Sequence, residues 1–154
     1  ALAIDKPVIE ISSLEAMAYQ IFGTDAVICP LMDARRSQVY TSLFEYRDDV
    51  FSRISDDEPM DILELIAKVN ALGRKVVFLG DGVPVYSKTI AQNIEVSYLF
   101  APAFQNRQRA AALAILAFEY AKRNEFTDPD MHRPEYLRLS QAERERMNRQ
   151  GTGE

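Results

Sequence analysis

The apolar positions of this chain change period several times, and each change marks an element. Leu14, Met17, Ala18 and Ile21 recur at i, i+3, i+4 and i+7 behind a Ser12 to Glu15 capping-box spacing, which predicts a helix over residues 13–22 stopped by Gly23. The run Ile28-Cys29-Pro30-Leu31-Met32 then breaks at Asp33-Ala34-Arg35-Arg36 and resumes as an alternating strand from Gln38 to Tyr46. That pattern is a hairpin with Asp33, Arg35 and Arg36 at its tip. Alternation sets Val39, Thr41 and Leu43 on one face and Tyr40, Ser42, Phe44 and Tyr46 on the other, so neither face is strongly polar and both are expected to be covered. Arg47-Asp48-Asp49 turns the chain into a third strand over Val50 to Ile54.

The second half alternates helix and strand. The acidic loop Asp56-Asp57-Glu58 before Pro59 suits the N-terminus of a helix whose stripe Ile62, Leu65, Ile66 and Val69 ends at Gly73. Lys75 to Leu79 reads as a buried strand closed by Gly80-Asp81-Gly82. A weaker helix follows over Pro84 to Asn93, then a strand over Glu95 to Phe100 and a long helix over Arg107 to Asn124. Within that helix Ala110 to Ala121 carries a single charge, Glu119, so it is expected to be a core helix covered nearly all round, ahead of the alternative that its alanines offer a close-packed face to another helix. Asp128-Pro129 and Pro134 mark a connector, after which Ser140 to Arg149 has the capping and i,i+4 pairing of a charged helix and residues 151–154 should fray. Three antiparallel strands followed by alternating helices and strands define an α/β fold: a mixed sheet with helices packed on it.

Composition narrows the function classes. A chain of 154 residues makes one ordinary domain with a sizeable core, and no apolar run approaches the roughly 20 residues that cross a bilayer. Net charge is -5, with 11 Lys/Arg against 16 Asp/Glu in residues 1–121 and 7 of each in residues 122–154. No segment is cationic enough to grip nucleic acid directly, and no membrane partner is expected. The single cysteine, Cys29, excludes an internal disulfide and points to a reducing compartment, the cytoplasm.

Catalytic signatures are sparse. His132 and Cys29 are the only residues of their types and have no metal-ligand spacing around them, so no metal site is assigned. No serine sits in a Gly-x-Ser-x-Gly elbow, and no catalytic residue is assigned. Gly80, Asp81 and Gly82 form either a nucleotide-binding glycine loop or a plain strand-to-helix turn. Asp33, Arg35 and Arg36 form either a contact for a partner protein or anion, or an internal pair that stiffens the hairpin. Tyr136 and Arg138 are read as pinning the C-terminal segment to the domain.

Four segments together resemble the bacterial TsaB family, also called YeaZ or glycoprotease-like. They are Pro7 to Ala16, Cys29 to Arg36 running into Val39-Tyr40, Phe78 to Gly82, and Pro134 to Glu143, so the resemblance spans Ala1 to about Arg144. It implies one lobe of the actin-like ATPase fold of sugar kinases, Hsp70 and actin, with residues 1–139 as the C-terminal lobe and 140–154 as a charged helix and tail. About a third of the usual protein, an N-terminal lobe, is then expected to be missing. The resemblance also implies a noncatalytic accessory subunit in making threonylcarbamoyladenosine on tRNA. Its expected partners are a catalytic TsaD-like paralogue and a TsaE-like ATPase, with a homodimer as a further option; no cofactor is expected in this chain, with ATP or ADP in the full complex. The alternative is an actin-like ATPase or carbamoyl-transfer enzyme with a nucleotide at Gly80 to Gly82 and Asp33 near phosphate or metal. A peptidase ranks behind both.

Overall fold

A computed structural model describes residues 6–131. Helix α1 (Ser13–Tyr19) is followed by β1 (Val27–Asp33), β2 (Gln38–Thr41), β3 (Phe44–Arg47), β4 (Val50–Arg53) and β5 (Glu58–Asp61). Then come α2 (Ile62–Leu72), β6 (Val76–Leu79), α3 (Gly82–Asn93), β7 (Tyr98–Phe100) and α4 (Ala110–Lys122). The strands form one mixed sheet in which β1 is central. It pairs antiparallel with β2 and β3 and parallel with β6, and β6 pairs parallel with β7.

The expected strand from Gln38 to Tyr46 is two segments that act as one. Leu31 faces Thr41 and Ile28 faces Phe44 in a single continuous register, interrupted at Ser42-Leu43. Pro30, opposite that interruption, has no N–H to give to a ladder. The Thr41 hydroxyl donates instead to the Pro30 carbonyl at 2.8 Å, and the Leu43 N–H turns to the Ser55 hydroxyl at 3.0 Å. The predicted alternation survives: Val39 and Leu43 pack with α2 and α3, while Phe44, Tyr40 and Tyr46 belong to the opposite face.

Other boundaries move for local reasons. α1 ends before residue 22, at a Gln20 cap, and Ile21 is buried from the turn beyond it. Ser12 caps α1 by accepting from the Leu14 and Glu15 N–H groups, but Glu15 does not complete the box because its carboxylate is used elsewhere. The acidic loop does not open the next helix. Glu58-Pro59-Met60-Asp61 is an extra strand, β5, with Pro59 opposite Tyr40, and Asp61 caps α2 by accepting from the Leu63 N–H. β5 prolongs the third strand after a break in which residues 54–57 stand opposite Ser42-Leu43, so that edge runs along the whole length of β2 and β3.

The two sheet faces are covered differently. On one, α2 supplies Ile62, Leu65, Ile66 and Val69 and α3 supplies Val83, Tyr86 and Ile90 against Val27, Cys29, Leu31, Val76 and Phe78. On the other, Leu14, Met17 and Ala18 of α1 cover Ile28, Phe44, Val77 and Leu79, and α4 lies on α1. The expectation that α4 is covered all round is not met. Only Ala112 and Leu116 are buried, while Leu113, Ile115 and Phe118 are exposed, because α4 packs mainly on one helix, α1, and less on the sheet. The predicted helix over 140–149, with His132, Tyr136 and Arg138, lies outside the described residues.

Candidate functional site

Both sequence candidates fall at one end of the sheet. Asp33 is the last residue of β1, Gly80 follows its parallel neighbour β6, and Pro30 is opposite Leu79 in the register, so the two loops leave the sheet side by side. The Asp33 N–H donates to Asp81 Oδ1 at 3.2 Å. The Asp33 carboxylate accepts from the Arg35 N–H at 2.9 Å and from the Tyr86 hydroxyl at 3.0 Å, through the same Oδ1. Its Oδ2 lies 3.4 Å from Arg35 Nη1. Tyr86, on α3, gave no functional signal in the sequence because it occupies an ordinary apolar position of the helix. Burial and the Asp33 carboxylate both push its phenol above the usual range, so it stays a donor.

The glycines of the second loop have a packing explanation. Gly80 has φ 108°, and a Cβ built there would lie 2.1 Å from the Leu31 carbonyl oxygen. A Cβ on Gly82 would meet the Leu31 Cβ at 3.0 Å and its carbonyl oxygen at 3.2 Å. Side chains are therefore excluded by β1 itself, which lets the first turn of α3 close on the sheet. Asp81 makes no capping bond to α3; its carboxylate serves the hairpin.

The hairpin tip is held in an unusual backbone. Arg35, Arg36 and Ser37 have φ of 65°, 53° and 60°, three successive left-handed residues without a glycine. The Asp33 bonds fix one side, and on the other Ser37 O accepts from the Ile62 N–H at 2.9 Å, at the start of α2. Both arginines are exposed. Arg35 has a partner in Asp33 that solvent screens, since its own side chain is 86% exposed, whereas Arg36 makes no hydrogen bond or ion pair among the described residues. Of the two alternatives posed by the sequence, the internal Asp–Arg pair is formed through Arg35, and Arg36 beside it is exposed.

A polar knot that the sequence did not reveal lies on the opposite face. Glu15 of α1 accepts from the Tyr120 hydroxyl at 2.6 Å and from Arg53 Nη2 at 3.0 Å. Arg53 also pairs with Asp57, which accepts from Ser12, and its guanidinium lies 4.8 Å from the Phe44 ring centroid. Burial first, and the Glu15 contact second, push Tyr120 up to about 12. The Tyr120 hydroxyl near the end of a largely apolar α4 was the available clue. Cys29 is fully buried and its thiol is pushed up to about 12 by burial, so it is a neutral core residue beside Thr41. Among the described residues no group of His, Cys, Asp and Glu is arranged to hold a metal ion, and no helix is long and apolar enough to cross a membrane.

This architecture matches solved proteins. "YeaZ from Pseudomonas aeruginosa" superimposes with a TM-score of 0.66 at 19% identity, covering 88% of this chain and 62% of that one. A protein "with similarity to peptidase YEAZ from Pseudomonas aeruginosa" gives 0.66 at 20% identity, covering 90% and 62%. The fold is of the actin-like ATPase type. Residues 1–146 match the family model described as TsaD, tRNA N6-adenosine threonylcarbamoyltransferase. A curated relative, the "tRNA threonylcarbamoyladenosine biosynthesis protein TsaB" of Bacillus subtilis (strain 168), is 31% identical over 143 residues. The chain belongs to the family of that TsaD model and is similar to these TsaB and YeaZ proteins. The match takes in 93% of this chain but 61% of the relative, so the chain spans about three fifths of the length of the proteins it resembles.

Proposed function

We propose that the chain serves tRNA threonylcarbamoyladenosine synthesis as a noncatalytic accessory subunit supporting a TsaD-like partner, with a TsaE-like ATPase joining the assembly. The observation that carries this reading is the use of the glycine loop for packing. Gly80 and Gly82 are spent on the approach to Leu31, and the Asp33 carboxylate is already occupied by Tyr86 and the Arg35 backbone. What remains outward is the tip, Arg35 and Arg36, which fits a carboxylate surface on a protein partner better than a reaction centre. Asp33 acts there as the brace of the turn.

Reconstitution tests it: this chain, a TsaD-type protein, a TsaE-type ATPase, threonylcarbamoyl-adenylate and tRNA, with the modified nucleoside read by mass spectrometry. Modification should require the chain and be absent with the chain alone. Transfer by the chain alone, or full modification without it, overturns the reading. Arg35→Ala/Arg36→Ala should weaken capture of the partner with the fold intact; unchanged capture removes the tip from the interface.

One observation favours the ATPase alternative. Asp33 and Asp81 meet at the carboxyl ends of parallel strands beside the start of α3, a position where open α/β sheets bind ligands. Titration calorimetry with ATP decides it: saturable binding lost in Asp81→Ala supports a nucleotide site, and no heat supports the scaffold.

A further inference from the structure

We infer that the outer edge of β4 takes a further strand, a basic extended segment of a partner protein. β4 ends the sheet on its side and pairs with β3 alone among the described residues. Its turn, Asp48-Asp49, has φ of 50° and 61°, the two-residue geometry that closes a hairpin on a bonded pair, here Arg47 with Val50. Bonded and unbonded pairs then alternate, so Ser52 bonds to Glu45, and the Ile54 N–H continues the series onto the Leu43 carbonyl at 2.7 Å. Val50, Ser52 and Ile54 spend their backbone groups on β3. Phe51 and Arg53 therefore turn theirs outward, a donor and an acceptor each, on an open edge. Arg53 is exposed as a residue while its side chain, folded back to Glu15 and Asp57, is only 31% exposed, so its backbone carries the exposure.

Charge around the edge identifies the occupant. Residues 48–58 hold five carboxylates against one cation, Arg53, which is already paired inward. Asp57 and Glu58 are engaged by Arg53 and Lys68. Asp48, Asp49 and Asp56 are exposed, and their carboxylates make no hydrogen bond or ion pair among the described residues. Two of these stand before the strand and one after it, so a segment with Lys or Arg at both ends meets a free carboxylate at each end of β4. Between those ends its side chains lie beside Val50, 65% exposed on one face, and the half-buried Phe51 ring on the other. Phe51 is backed by Tyr19, Phe44 and Tyr46, an aromatic floor for an aliphatic side chain. A second copy does not suit the edge. The antiparallel register that engages both outward residues pairs Phe51 of one copy with Arg53 of the other, which brings Asp48 toward Asp56 at each end, carboxylate against carboxylate. The acids that keep a twin off thus admit a cationic strand. The inference is independent of the tRNA reading and uses neither the hairpin tip nor the glycine loop.

The test uses the 154-residue chain and a fluorescein-labelled peptide of alternating Val and Thr with a pair of Lys at each end, read by fluorescence polarisation. Saturable binding that weakens as salt rises is expected, with a matching peptide carrying Glu for Lys bound about tenfold more weakly or worse. In hydrogen exchange the Phe51 and Arg53 amides should be fast in the chain alone and slow by about tenfold or more under saturating Lys peptide, while the Ser52 and Ile54 amides, already given to β3, change less. Asp48→Asn/Asp49→Gly/Asp56→Asn removes the three free carboxylates and leaves Asn-Gly, the preferred pair for this turn, so the fold is kept while affinity falls about tenfold. Glu95→Lys, beside β7 at the opposite edge, should leave affinity unchanged. No binding of the Lys peptide, equal binding of the Glu peptide, full affinity in the triple variant, or Phe51 and Arg53 amides that stay fast under saturating peptide would overturn the inference. So would amides at those two positions already slow in the chain alone, which would make the cover a second copy if light scattering reports a dimer and another part of the same chain if it reports a monomer.

Discussion

Each face of the sheet carries one strongly apolar helix, α2 on one and α4 on the other, and the two ended differently. On the α2/α3 face Leu65, Ile66, Val69 and Ile90 of the helical stripes are at most 2% exposed, and Ile62, Val83 and Tyr86 at most 8%. On the α1/α4 face α1 is buried to the same degree, yet α4 keeps Leu113, Ile115 and Phe118 at 43% to 68% exposure. The distinction lies in what each helix rests on. α2 and α3 are crossovers between strands and are forced onto the sheet by β6 and β7, whereas α4 follows β7, the last strand among the described residues, and rests mainly on α1, to which the Tyr120 hydroxyl bonds at Glu15. Hydrophobicity alone does not locate a helix in the core; the connections on either side of it do.

The largest predicted effect strikes the closed face. Gly80→Ala places a Cβ against the Leu31 carbonyl and in a backbone conformation that L residues rarely adopt, which should cost about 4 kcal/mol or more in urea unfolding. A cost under about 1 kcal/mol would mean that the α3 turn is loosely seated and that the glycines are free for another role. Next comes a paired truncation. Leu65→Ala, fully buried on α2, should destabilise by about 2–5 kcal/mol, and Ile115→Ala on α4 by less than about 0.5 kcal/mol in the chain alone. Equal costs at the two positions would erase the contrast between the faces.

Much of that contrast was legible in the sequence up to the point where tertiary context took over. The α2 stripe, the buried β1 and β6 runs and the hairpin with its charged tip are local patterns, and each is where the period put it. β5 was hidden because Pro59 and the neighbouring acids read as a helix entry; only pairing with β2 makes a strand of four residues containing a proline. α4 was read as core since an apolar helix normally is, and no local signal reports the absence of a neighbour. At the site, sequence placed Asp33, Arg35 and Arg36 on a turn and Gly80 to Gly82 on a loop. It did not bring them together, because their meeting depends on β1 and β6 being parallel neighbours, with Tyr86 arriving from α3.

A smaller effect separates the fastening of α4 from its packing. Tyr120→Phe removes a hydrogen bond to the Glu15 carboxylate and should cost about 1 kcal/mol, with α4 amides gaining hydrogen-exchange rate before those of α2. The same bond has an alkaline signature. Tyr120, Tyr46 and Cys29 all have acid groups pushed up to about 12 in the folded chain, so the folded state holds protons that the unfolded chain gives up near 9 to 10. Their contribution is intact below that range and is lost as pH rises through it toward 12. Tyr120→Phe should flatten part of this fall in Tm, and an unchanged slope would show that neither burial nor Glu15 holds the phenol protonated.

The smallest effect has the opposite sign and bears on the hairpin tip. Arg36 occupies a left-handed conformation with φ 53°, unpaired among the described residues and fully outside both hydrophobic clusters, so Arg36→Gly removes strain without removing a contact and should raise stability by about 1 kcal/mol. Backbone strain of this kind persists where the surroundings over-determine it, and here Asp33, Tyr86 and the start of α2 do so. If the tip is a contact surface, the stabilised variant should lose partner capture as it gains in Tm, the trade expected when a site is kept at a cost to the fold. A variant that is both more stable and fully competent in capture would reduce the three left-handed residues to a way of turning between β1 and β2.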